Sequence, residues 1–254
     1  MRLWRPQPEQ KTARPRGSPG KRLYAIGDVH GCQDELVRLL SLVEADHAAR
    51  PKRPCHIVFL GDLIDRGPAS AGVVRQLRER PPAFADVHFI RGNHEEMMVR
   101  ALTGEPEQIA DWLRHGGQSC ALSYGVDPSI LAETDPLRLE HNLLSHIPEA
   151  DIRFLAGFVD QVRFGDYLLV HAGLRPGIPI SAQSGRDLRW IRAEFLESEV
   201  RHEAVVVHGH TITETVEMRP NRIGLDTGAY RTGVLSALRI EEDETSILMT
   251  GPQA

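Results

Sequence analysis

The feature that most narrows what this chain can fold into is a junction where a short apolar run stops abruptly at glycine and charge. Its clearest instance is HIVFLGDLIDRG, residues 56–67. The apolar part is too short for a membrane span and too apolar for a surface strand, so it belongs inside a sheet covered on both faces. Charges at the end of a buried element are costly unless something pairs with them. The same junction recurs in RLYAIGDVHG (22–31) and VHFIRGNHE (87–95), interleaved with the helix-like DELVRLLSLVEA, AGVVRQLRER and EEMMVRAL. That alternation predicts βαβαβα and a parallel sheet.

Residues 107 to about 157, including IADWLRHGG and LRLEHNLLSHI, read as a helical insertion. After it come short strand patterns, QVRF, YLLVHAG, AVVVHGH, TETVEM, RIGLD, GVLSALRI and TSILMT, with one helix-like stretch, LRWIRAEFLE. No flexible linker interrupts the 254 residues, so one globular domain is expected over 22–250. Residues 1–21 hold six Lys or Arg, one Glu and four Pro, which predicts a solvated, disordered basic tail. The acidic run Glu241, Glu242, Asp243 and Glu244 sits where a hairpin turn should be and reads as solvated turn. Net charge is −5, and with the tail set aside the body carries about −10, which argues against a nucleic-acid footprint. No run approaches the roughly 18 apolar residues of a membrane helix, and no signal-peptide core is seen. The expectation is a cytoplasmic protein with no membrane partner and a monomer by default. Cys32, Cys55 and Cys120 are odd in number and far apart, so neither a disulfide framework nor a thiolate zinc site is indicated.

Polar groups gather where the strands end: Asp28 and His30 after the first, Asp62, Asp65 and Arg66 after the second, Asn93 and His94 after the third. Later strands end at His171 and at His208 and His210. In an open α/β sheet such strand ends share one crevice. Taken singly, Asp caps a helix, Asn forms a turn and His is a hydrogen-bonded core residue. Together they call for a cation. A phosphate-cradling loop is excluded, because GDVHG would put a carboxylate against the ligand's negative charge. Oxygen and imidazole donors without thiolate suit Mn²⁺, Fe²⁺ or Zn²⁺. The donors are too many for one ion with open positions but suit two ions sharing a carboxylate, typically about 3.5–4 Å apart. Water bridging two such ions is acidified toward hydroxide, a nucleophile that needs no Ser or Cys. An arginine beside it can hold two phosphoryl oxygens in a bidentate clamp. His208 and His210 project to one face of a strand, and spacing does not separate them.

The ordered set GDVHG (27–31), GDLIDRG (61–67), GNHE (92–95), HAG (171–173) and GHT (209–211) resembles the phosphoprotein phosphatase family of binuclear metallophosphoesterases, particularly its compact bacterial and phage-type members. The resemblance runs from about residue 22 to 240. It implies an αββα sandwich, two mixed sheets flanked by helices, with two divalent metals at the strand ends, manganese first and iron or zinc as alternatives. It makes Asp28 and His30 ligands of one metal, Asp62 the bridge, and Asn93, His171 and His210 ligands of the other, GHT favouring His210 over His208. In the family's pattern His94 protonates the leaving oxygen, Asp65 orients it and Arg66 binds phosphate. RWIRAEF resembles the segment of a second phosphate-binding arginine, assigned to Arg192 with Arg189 close by. LDTGAY approaches the site in the family, leaving Tyr230 as a substrate contact or an exposed strand-end tyrosine. RHGGQS follows helix-like ADWLR, so His115 reads as a loop residue. The implied activity is serine/threonine protein phosphatase, acting on a phosphoprotein or small phosphate ester by metal-bridged hydroxide. The alternative is a symmetric dinucleoside tetraphosphate hydrolase. Those relatives generally lack the acid of DRG and carry Asp after NH, so Asp65 and Glu95 rank the phosphatase first. A catalytically dead binding module would be expected to have lost a ligand or His94, and none is missing.

Overall fold

The computed structural model describes residues 14–251. Among the described residues ten strands form two five-stranded sheets. The first, in the order β10-β9-β1-β2-β3, contains β1 (Arg22–Ile26), β2 (Cys55–Phe59), β3 (Asp86–Phe89), β9 (Ser236–Glu241) and β10 (Glu244–Met249). The second, β4-β5-β6-β8-β7, contains β4 (Gln161–Phe164), β5 (Tyr167–Val170), β6 (Val205–His208), β7 (Glu217–Met218) and β8 (Arg222–Gly224). The expected parallel core is present twice. β1, β2 and β3 run parallel in one sheet, and β5, β6 and β8 in the other, with antiparallel strands outside them.

Side-chain alternation along the strands explains the layering. Leu23 and Ala25 of β1 pack with Leu169 of β5 and Val207 of β6 in a core between the sheets. Tyr24 and Ile26 face the other way, onto helices α1 (Gln33–Ala48), α2 (Ser70–Glu79) and α3 (Asn93–Leu102). Leu168, Val170 and Val206 point out of the second sheet onto Leu188, Ile191 and Phe195. Two mixed sheets flanked by helices result, the αββα arrangement the resemblance implies. Between β3 and β4 the chain is helical, with α4 (Ile109–Trp112), α5 (Gln118–Ser123), α6 (Pro136–Leu144) and α7 (Glu149–Ala156). LRWIRAEFLE is broken in two: α8 (Gly185–Trp190) ends where Ile191 turns extended, before a second short turn at Ala193–Leu196.

Two expectations are corrected by ion pairs that spacing does not reveal. Residues 14–21, placed in the disordered tail, lie against the body: the Arg16 N–H donates to Asp166 Oδ2 at 2.8 Å and its guanidinium pairs with Glu242 at 2.9 Å. The remainder of that tail, 1–13, lies outside the described residues. The acidic run is partly paired as well as solvated. Glu241 grips the fully buried Arg22 at 2.6 Å, and Glu242 takes Arg53 at 2.8 Å. Among the described residues no helix is long and apolar enough to cross a membrane.

Candidate active site

The carboxyl ends of the parallel strands in both sheets meet at one place, and the turns leaving them are unusual. His30, Asp62, Asp65, Arg66 and His210 all have positive φ, between 45° and 72°. Such backbone costs on the order of 1–3 kcal/mol per residue and persists only where the surroundings over-determine it. Glu95 supplies much of that constraint. Its fully buried carboxylate accepts the N–H groups of Asp62 (2.9 Å), Leu63 (2.7 Å) and Gly92 (2.9 Å), tying the β2 turn to the start of α3. Burial and then Asp62 push Glu95 up to about 7, against the pull of those donors. The glycines permit close approach: a Cβ on Gly92 would meet Asp62 Oδ1 at 2.1 Å, and one on Gly209 would meet Asp28 Oδ1 at 2.0 Å.

Asp62 is central. Its Oδ2 lies 3.3 Å from His171 Nε2, 3.6 Å from His30 Nε2 and 3.9 Å from His94 Nε2. His30 and His171 each direct Nδ1 at a carbonyl, of Ile64 and Leu60, both at 2.8 Å, which turns their Nε2 atoms into the pocket. His171 Nε2 is also 3.0 Å from Asn93 Oδ1 and 3.2 Å from His210 Nδ1. Asp28 accepts the His210 N–H at 3.0 Å. A third carboxylate, Asp226 after β8, is buried here too and keeps Oδ2 unpartnered.

The electrostatics are those of a site built around positive charge. Burial, and then Asp226, raise Asp28 well above the usual carboxylate range. Burial would raise Asp62 as well, but His171 and His94 outweigh it and hold Asp62 well below that range. Burial lowers His30 to about 3 and His210 to about 2, so both rings are neutral donors at ordinary pH. For His171 burial is overcome by Asp62, and the ring is pushed up to about 9. Among the described residues the buried atoms His30 Nε2, His210 Nε2 and Asp226 Oδ2 have no hydrogen-bond partner. Unsatisfied donors and acceptors at this depth are costly, and three carboxylates repel one another. Oxygen and imidazole atoms so placed fit divalent cations. Among the described residues two groups of ligand atoms each gather to within 4.8 Å: His30, Asp62 and His94, and Asp62, His171 and His210. His94 fits the first group poorly, because Arg66 Nη2 stands 3.1 Å from its Nε2 and a guanidinium opposes a cation there.

His94 instead belongs to a relay. Its Nδ1–H donates to Asp65 Oδ2 at 2.7 Å, and the indole N–H of Trp112, from α4, reaches both Asp65 oxygens at 3.1 Å. Burial would lower His94, but Asp62 and Asp65 together raise it. Arg66 is set by the same insertion: its N–H donates to the Gly116 carbonyl at 3.1 Å. Its guanidinium lies 5.1 Å from the Tyr230 ring centre and 3.4 Å from that hydroxyl. Tyr230 also meets His30 edge-on at 5.3 Å, so it borders the site rather than standing exposed at a strand end.

Asp28, His30, Asp62, Asp65, Arg66, Asn93, His94, His171 and His210 are thus brought together. Arg192 stands at the rim, donating to the His210 carbonyl and Thr211 Oγ1, both at 3.2 Å, whereas Arg189 turns away to Glu96 and Asp160. His208 parts from His210. The positive φ at His210 breaks strand alternation, and the His208 ring packs on Phe195 at 5.2 Å on the helix side of the sheet. His115 is exposed and outside the cluster, but in a wide helical turn rather than a loop. Sequence reasoning missed Asp226 and Trp112. Asp226 follows an apolar strand like the other site aspartates, a signal that was available, while nothing in sequence links Trp112 to Asp65.

Fold and site together define a metal-dependent phosphoesterase. The chain belongs to the Calcineurin-like phosphoesterase family, whose model matches residues 21–232. It is 25% identical over 240 residues to the asymmetrical bis(5'-nucleosyl)-tetraphosphatase PrpE of Bacillus velezensis, covering 87% of this chain and 89% of that one. It is 28% identical over 296 residues to the symmetrical bis(5'-nucleosyl)-tetraphosphatase of Janthinobacterium sp., covering 91% and 96%. Among solved structures it is similar to a "putative diadenosine tetraphosphatase", with TM-score 0.65, 20% identity and coverage of 93% and 97%. It is also similar to a cold-active protein tyrosine phosphatase, with TM-score 0.53, 20% identity and coverage of 92% and 81%. These structural likenesses concern the fold.

Proposed function

We propose that this chain hydrolyses dinucleoside tetraphosphates, which places the alternative reading of the sequence ahead of the serine/threonine phosphatase. The observation that carries the proposal is the similarity, over nearly the whole of both chains, to relatives named as bis(5'-nucleosyl)-tetraphosphatases. Asp65 and Glu95, which ranked the phosphatase first, have local work to do whatever the substrate: Asp65 holds His94, and Glu95 holds the Asp62 turn.

Asp28, His30, Asp62, Asn93, His171 and His210 would hold the metals, and Asp226, whose Oδ2 has no partner among the described residues, would add an oxygen to the set. Bound there, a pair of divalent cations, manganese first and iron or zinc as alternatives, supplies an acidified water and offsets phosphoryl charge. Arg66 and Arg192 bind phosphoryl oxygens from two sides of the pocket. As an imidazolium, favoured by Asp62 and Asp65, His94 keeps its Nδ1–H on Asp65 and delivers the proton on Nε2 to the leaving oxygen beside Arg66, leaving a neutral ring. A phosphoanhydride releases a phosphate, a weaker base than an alkoxide, so this proton matters less for a tetraphosphate than for phosphoserine.

The test offers manganese-loaded protein diadenosine tetraphosphate beside phospho-Ser, phospho-Thr and phospho-Tyr peptides. The expected result is a higher kcat/KM for the tetraphosphate, with ADP alone (symmetrical) or ATP plus AMP (asymmetrical) identifying the cut. Preference for a phosphopeptide would overturn the proposal.

A further inference from the structure

We infer that the groove running from the site past Arg192 seats one nucleoside polyphosphate arm of the substrate, with Trp190 as the platform for its base. The inference rests on the tetraphosphate reading and names what would set such a substrate apart from a simple phosphate ester. The groove measures about 830 Å³, within the usual range of small-ligand clefts, and is lined by Arg100, Arg175, Arg186, Asp187, Trp190 and Arg192 among others. Arg192 joins it to the metal pocket through its hydrogen bond to the His210 carbonyl. On the other wall stand Glu96 and Arg100 of α3, the helix that begins with Asn93 and His94. A phosphate chain with one phosphorus at the metals would enter the groove past Arg192, which belongs to both.

The charge left free in it is mainly positive. Arg100 is held by Glu105 and Arg175 by Asp187. Arg186 and Arg192 make no salt bridge among the described residues, although both line the groove. Of the acidic residues, Glu96 is occupied by Arg189 and Trp190, Asp187 by Arg175 and Ser184, and Glu194 stands 4.0 Å from Arg175. Two guanidiniums without an ion-pair partner among the described residues suit successive phosphates of a polyanion.

Trp190 supplies the second half of the argument. It is a large apolar side chain left 37% exposed in a charged groove. Its indole N–H donates to Glu96 Oε2 at 2.7 Å, and Arg189 Nε holds the same oxygen at 3.0 Å. The edge of the ring is therefore pinned, and stacking on it costs little further ordering. Any nucleobase presents a π face to such a ring, whereas few peptide side chains do.

The experiment titrates the full-length, manganese-loaded protein with ATP by calorimetry. In parallel it measures kcat/KM for diadenosine tetraphosphate relative to p-nitrophenyl phosphate. Trp190→Ala should weaken ATP binding roughly tenfold or more, in line with the loss of one base–aromatic stack, and lower that ratio through KM. Trp190→Phe should restore most of both, and Arg186→Gln should weaken ATP binding in a salt-dependent way. Equal ATP affinity in wild type and Trp190→Ala would overturn the inference, as would wild-type protein that does not bind ATP. So would a Trp190→Ala defect confined to p-nitrophenyl phosphate. ATP binding that depends on Trp190, without tetraphosphate hydrolysis by the wild type, would uphold the groove and refute the activity.

Discussion

Replacing Glu95 with glutamine keeps its shape and, at a pH above the folded value of about 7 where the carboxylate is ionised, removes its charge, which makes it a sharp probe of how the Asp62 turn is held. Oε2 of Glu95 serves the N–H groups of both Asp62 and Gly92, and Oε1 serves that of Leu63. The better amide orientation keeps its oxygen at the shared position and turns its NH₂ toward the Leu63 N–H, so two donors confront each other. One buried, unsatisfied donor costs about 1–3 kcal/mol. The two surviving hydrogen bonds also fall from charge-assisted to neutral strength, so the total loss is about 3–4 kcal/mol. For a chain of this size that corresponds to a fall in Tm of roughly 6–16 °C. Because Asp62 sits at positive φ between the two ligand groups, the same change should weaken metal retention by about 10–100-fold. Differential scanning calorimetry and competition against a graded chelator measure both effects in one preparation. A Glu95→Gln protein with wild-type Tm and wild-type metal affinity would refute the idea that this carboxylate holds the turn.

Three further expectations follow from single contacts. His94→Asn should lower turnover of a phosphoserine peptide by about 10²–10⁴-fold, with metal content kept, and lower tetraphosphate turnover by less; steady-state kinetics on both substrates reads the contrast, and equal losses would remove the proton-donor role. Gly116→Ala would place a Cβ 2.8 Å from Arg66 Cγ, at a φ of 116° that side chains rarely adopt, so a stability loss of about 1–2 kcal/mol and a raised KM are expected from thermal melts and kinetics. Glu241→Gln leaves the buried Arg22 charge without its partner, at a cost of about 3 kcal/mol near pH 7 in urea unfolding. The Arg22 hydrogen bond depresses Glu241, so its contribution is present above the ordinary carboxylate pKa and is lost as pH falls through the folded value. Wild type and variant should therefore converge in acid, and a gap that persists there would count against the pairing.

Much of the site was legible because each group follows an apolar strand, and parallel strands in one sheet must end on the same side. The register bears this out, with Ile26, Phe59 and Phe89 level across β1, β2 and β3. What was illegible depends on backbone conformation or on contacts distant in sequence. The positive φ at His210 separates it from His208, a distinction that period-two counting could not make. Trp112 lies 47 residues from Asp65 and Glu95 lies 33 from Asp62, so neither hydrogen bond leaves a local pattern. The ranking of substrates, whose alternative the named relatives favour, was hard to read for a related reason. Asp65 and Glu95 read as marks of substrate class, whereas the structure gives both of them roles in holding their neighbours.

The proposed chemistry needs divalent cations held among Asp28, His30, Asp62, Asn93, His171 and His210. Elemental analysis of active, unchelated protein, paired with the same analysis of Asp62→Asn, tests this most directly. The expected result is about two metal ions per chain in the wild type, as in two-metal phosphoesterase sites generally, and a clear loss of both in the variant. Active protein without bound metal, or a variant that keeps its full complement, would contradict it.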